Sequence, residues 1–174
     1  MFDFEKLRAE KERELQSKRN AAKKDLQAER NCSERAPVEW RNLRAEFEKL
    51  ADDRTPILDG QPIRRVNDVF MLGNVTLAIR GGGKEPYRAG VYSQSIALPA
   101  QVQEQSLPRY IPQISGDGKT LVWKREGEVY STAQLAEKLW RELFDEYIRI
   151  DDRDSGSKEG FPLKVAAEQW MRRQ

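Results

Sequence analysis

The chain contains no histidine. That removes the one side chain whose ordinary pKa lies near neutrality. With it go the Ser-His-Asp and Cys-His nucleophile pairs, HExxH metal sites and zinc fingers within this chain. A single cysteine, Cys32, allows no internal disulfide, which suits a reducing compartment better than secretion. Long apolar runs are missing too. Nothing approaches the roughly 20 residues needed to cross a bilayer, and the opening MFDFEKLRAEKE carries charges where a signal peptide has its apolar core. The expectation is a cytoplasmic chain with no membrane partner. Nor is there an excess of one charge: 31 basic and 29 acidic residues are interspersed, leaving +2. Composition alone therefore builds in no long-range pull toward nucleic acid.

Glycine and proline are absent from residues 3–30, where strong helix formers fill DFEKLRAEKERELQSKRNAAKKDLQAER. The segment reads as a long helix. Its apolar stripe is thin: Phe4, Leu7, Leu15, Ala22 and Leu26 share a face that Lys11 and Lys18 interrupt. Pairs such as Glu14 with Lys18 and Glu10 with Arg13 add a few tenths of a kcal/mol each, too little to hold a solitary helix against fraying. The segment is either a solvated arm or one strand of a coiled coil, although three uninterrupted heptads are lacking.

A polar break is expected at NCSERAP, with Pro37 placed for the first turn of a second helix. There Trp40, Leu43, Phe47 and Leu50 recur at spacings of three and four. ADDRTP closes it. From residue 56 to 130 the period changes. VTLAI sets Val75, Leu77 and Ile79 against Thr76 and Ala78, and YRAGVYSQSIAL and KTLVW are rich in β-branched and aromatic residues, as strands are. Asp117-Gly118 and the turn at Gly127 predict antiparallel hairpins, with no room for crossover helices. The stretch from Pro99 to Pro112 is expected to be an exposed loop. Ser131 and Gln134 form a capping box for a helix over 131–150, with Leu135, Leu139, Leu143, Tyr147 and Ile150 on one face. It should cover one face of the sheet.

The expected class is α+β: a long N-terminal helical arm and second helix, an antiparallel sheet of four to five strands covered by an amphipathic helix, and a short C-terminal helix on a linker. The corresponding units are a charged arm (1–35), a globular domain (36–150), a flexible linker (151–161) and an amphipathic terminal helix (162–174).

Three motifs suggest chemistry. In AIRGGGKEPYR a Walker A loop would need glycine where Ala78 stands and a hydroxyl where Glu85 stands, and no G-x-G-x-x-G opens a helix. The glycines fit a hairpin turn, with Arg80, Lys84 and Arg88 around it as a basic tip for phosphate or nucleic acid. Lys18, Arg19, Lys23 and Lys24, with no acid between residues 15 and 24, form a second basic cluster. Asp117 and Lys119 in GDGK match half of a metal-dependent nuclease site, but Asp-Gly also makes a turn. Trp40, Trp123 and Trp140 fall on core faces. Trp170, with Met171, could instead anchor the terminal helix in a groove of a partner.

No catalytic residue, cofactor or metal ligand is assigned. The favoured function is a non-enzymatic protein–protein interaction or assembly module. It would meet a protein partner or another copy through Phe4, Leu7, Leu15 and Leu26, with Trp170 and Met171 as further contacts. A nucleic-acid-binding protein and a metal-dependent nuclease are the alternatives.

Overall fold

The structure, a computed structural model, describes residues 4–54, 62–93, 103 and 105–154. Helix α1 spans Phe4–Arg54 without interruption. The expected break at NCSERAP is therefore a correction: Cys32 lies inside the helix, and the arm and second helix are one element. Pro37 lacks an N–H for the Ser33 carbonyl and costs about 3 kcal/mol in a helix interior. Ala36 and Trp40, on either side of it, are both buried in the core, and that burial holds the axis through the missing bond.

The sheet has seven strands in simple sequential order, all neighbours antiparallel, rather than four to five. They are β1 (Arg64–Val66), β2 (Val69–Leu72), β3 (Val75–Gly82), β4 (Glu85–Ser93), β5 (Arg109–Ile114), β6 (Leu121–Arg125) and β7 (Glu128–Tyr130). Short turns make this meander possible, and Asn67 takes a left-handed conformation between β1 and β2.

Strand β5 corrects the expected loop from Pro99 to Pro112, of which residues 99–102 and 104 lie outside the described residues. Two prolines hid it. Pro112 is tolerated because the β5–β6 ladder continues the Ser115–Thr120 backbone bond at alternate residues. Its ring nitrogen thus faces the β4 side, beyond the two paired residues Tyr110 and Arg109.

Helix α2 (Thr132–Asp154) starts at the capping box: Ser131 N–H donates to Gln134 Oε1 at 2.9 Å, and Gln134 N–H to Ser131 Oγ at 3.2 Å. It runs on through Asp154, so the first residues of the expected linker are helical. The remainder of that linker lies outside the described residues.

Both helices cover one sheet face. Trp40, Leu43 and Phe47 from α1 and Leu135, Leu139, Trp140 and Leu143 from α2 enclose Phe70, Leu72, Val75, Leu77, Ile79, Ala89, Tyr110, Leu121 and Trp123. Trp40 sits at the aromatic centre, 4.7 Å from Trp123 and 5.1 Å from Tyr87 between ring centroids. Polar ties fix the layers. Thr132 Oγ1 donates to Glu39 at 3.0 Å and accepts from Trp123 Nε1 at 3.3 Å, while Arg54 pairs with Glu137 at 2.8 Å over the Trp140 ring. On the opposite face Thr76 and Ala78 are buried too. There Leu107 and Pro108 close over Gly90, where an added Cβ would stand 2.9 Å from the proline ring. Among the described residues no helix is long and apolar enough to cross a membrane.

Candidate functional site

One helix has two environments. From residue 36 onward α1 sends Ala36, Trp40, Leu43, Phe47 and Ala51 into the core, yet residues 4–27 are exposed at every position. This exposed stretch is about 35 Å long. Phe4 is 75% exposed, Leu7 41%, Leu15 56% and Leu26 60%. At 3.6 residues per turn these four fall on the same side of the helix as the buried set. The apolar face of α1 therefore continues into a stretch whose side chains are exposed. The polar bonds along the arm are local: Arg8 to Glu12 at 3.2 Å, Lys18 to Glu14 at 2.6 Å and Gln27 to Asn31 at 2.9 Å, each four residues apart. Exposed pairs of this kind add only a few tenths of a kcal/mol.

Of the arm's basic cluster, Lys18 is engaged by Glu14, while Arg19, Lys23 and Lys24 are exposed. The hairpin cluster does not form a free basic tip. Arg80 pairs with Asp68 at 3.4 Å, and Arg44 of α1 reaches the same carboxylate at 2.7 Å. Arg88 donates to the backbone carbonyls of Gln105 and Leu107 at 3.0 and 2.8 Å. Lys84 alone of the three stands at the turn, exposed.

That turn is a hairpin with a bulge between Arg80 and Gly82. At Gly81 φ is +96°, and a Cβ would lie 2.0 Å from the Pro86 carbonyl oxygen, so only glycine fits. The resulting groove, about 970 Å³, is lined by Arg44, Asp68, Arg80, Gly81, Glu85 and Arg88 among others. Sequence reasoning missed Arg44 there, because nothing local joins a residue of the first helix to a distant hairpin.

Asp117 serves the turn. Its carboxylate accepts from Ser115 Oγ, from the N–H groups of Lys119 and Thr120 at 2.8 and 2.9 Å, and from Thr120 Oγ1 at 2.5 Å. These bonds hold its pKa well below the usual carboxylate range. Lys119 gives its carbonyl to Arg35. No group of three His, Cys, Asp or Glu side chains suited to a metal gathers among the described residues. Cys32 is half-buried, and burial raises its thiol pKa, the opposite of what a reactive cysteine needs. Trp170 and Met171 lie outside the described residues. Comparison with protein-family models, curated proteins and solved structures finds no match for the chain.

Proposed function

We propose that the protein is an assembly module: a two-layer α+β body that presents the first half of α1 to another helix, that of a second copy or of another subunit. The observation that supports this is the exposed arm, whose apolar stripe is in register with the buried face of the same helix. An isolated helix of this length with so sparse a stripe is marginal in water, and an exposed apolar face gains stability by meeting another apolar surface.

The rival functions have less behind them. Nucleic-acid binding through the hairpin would use Arg80 and Arg88, already tied to Asp68 and to backbone carbonyls; through the arm it would rest on the exposed Arg19, Lys23 and Lys24, with no aromatic residue among them for stacking; and a nuclease centred on Asp117 would use a carboxylate that four donors occupy.

Sedimentation of the full chain and of a chain lacking residues 1–27 tests the proposal. The full chain is expected to exceed its monomer mass as concentration rises from low to high micromolar, and the shortened chain to stay monomeric with an unchanged melting temperature. A mass that is the same for both chains at every concentration would remove the self-assembly form. Failure of the arm to retain any subunit from the native host, against the shortened chain as control, would remove the other.

A further inference from the structure

The arm's apolar residues read alike from either end. Leu15 stands midway between Phe4 and Leu26, at the interval of about eleven residues that keeps a stripe in line along a straight or slightly right-handed helix pair. We infer that the partner of the arm is the same arm of a second copy, running antiparallel and crossing at Leu15. This rests on the assembly function proposed above and specifies its geometry.

In that arrangement Leu15 meets Leu15 of the second copy, Phe4 lies beside Leu26 of the second copy, and Leu7 faces the small Ala22. Length agrees with spacing. The exposed run of residues 4–27 is centred next to Leu15 and ends at Ala28, the first residue of α1 that is not fully exposed. Phe4 of each copy is therefore level with the last turn of the other copy's exposed run.

Charge sets the direction. Residues 15–24 carry Lys18, Arg19, Lys23 and Lys24 with no acid. A parallel pair would lay this block on its own copy, a like-charge contact over ten residues of the seam. An antiparallel pair lays it on residues 6–15, where Glu10, Glu12 and Glu14 offset Lys6, Arg8, Lys11 and Arg13 nearly to neutrality. Lys18, which pairs with Glu14 of its own helix at 2.6 Å, then also comes within reach of Glu12 of the second copy. In the register that sets Leu7 against Ala22, Lys11 falls opposite Lys18 of the second copy, and this like-charge contact, with so thin a stripe, keeps the association weak.

Single-cysteine chains in a Cys32→Ser background, full-length and mildly oxidised, test the geometry, with the parent chain and its half-buried Cys32 as control. Leu15→Cys is expected to give a reducible dimer by itself. Phe4→Cys and Leu26→Cys are expected to give one only when mixed, because antiparallel arms bring those two positions together. All three sites are exposed, so folding is not at stake, and Leu15→Glu should weaken association at least about tenfold at an unchanged melting temperature. Dimers of Leu26→Cys alone as abundant as those of Leu15→Cys would overturn the inference in favour of a parallel pair. So would an absence of Leu15→Cys dimers at concentrations where the full chain sediments above monomer mass. In both cases arm-dependent assembly survives, whereas association that persists in a chain lacking residues 1–27 would remove both.

Discussion

The two halves of α1 share a helix, an apolar face and a charge-rich far side, yet residues 36–51 help build the core and residues 4–27 are exposed throughout. The difference is where the sheet lies. Amphipathicity gives a helix a face to bury; whether the face is buried depends on what stands opposite. The density of large side chains follows the same division, with Trp40, Leu43 and Phe47 in one half and small or charged residues between Leu7, Leu15 and Leu26 in the other.

The same substitution made in both halves is expected to have very different effects. Leu43→Ala, at a fully buried position, is expected to cost about 2–5 kcal/mol, and Leu26→Ala less than about 0.5 kcal/mol at concentrations where the chain is monomeric. Chemical denaturation measures both. Equal costs would mean that the arm is part of the core.

A smaller effect is expected at the junction. Pro37→Ala restores a donor for the Ser33 carbonyl and should stabilise the chain by about 2 kcal/mol, part of the gain being offset by a freer unfolded chain. A lower melting temperature would show that the proline shapes the helix in a way the core requires.

The smallest effect lies in the β5–β6 turn that Arg35 touches from the junction. Because the folded pKa of Asp117 is depressed, its contribution is fully present above the ordinary carboxylate value of about 4. It is lost progressively as pH falls below that value toward the folded one. Asp117→Asn should flatten the acid limb of a stability–pH curve, and an unchanged limb would contradict the turn's role.

Much of the fold was legible because its signals are local. The stripe of Trp40, Leu43 and Phe47, the alternation of Val75, Leu77 and Ile79, the capping pair Ser131 and Gln134, and the glycine turn at residues 81–83 each depend on near neighbours. What was not legible depends on distant ones. Pro37 reads as a helix start unless the burial of Ala36 and Trp40 is known. Strands β1 and β2 are only three and four residues long, and the Asn67-Asp68 and Gly73-Asn74 turns were the signal that could have found them. Pro108 and Pro112 disguised β5. Within the candidate site the sparseness of the arm's stripe was legible, and Phe4, Leu7, Leu15 and Leu26 are exposed. The sequence held no sign that Arg80 and Arg88 would be tied to Asp68 and to carbonyl groups.

Hydrogen exchange of the arm amides, measured on the full chain across a range of concentrations, tests most directly whether residues 4–27 depend on a second molecule. Exchange is expected to be fast in dilute solution and to slow as concentration rises, while amides of residues 36–51 stay protected throughout. Arm amides as protected as those of the core at the lowest concentration would contradict the account, because the arm would then be held by its own globule.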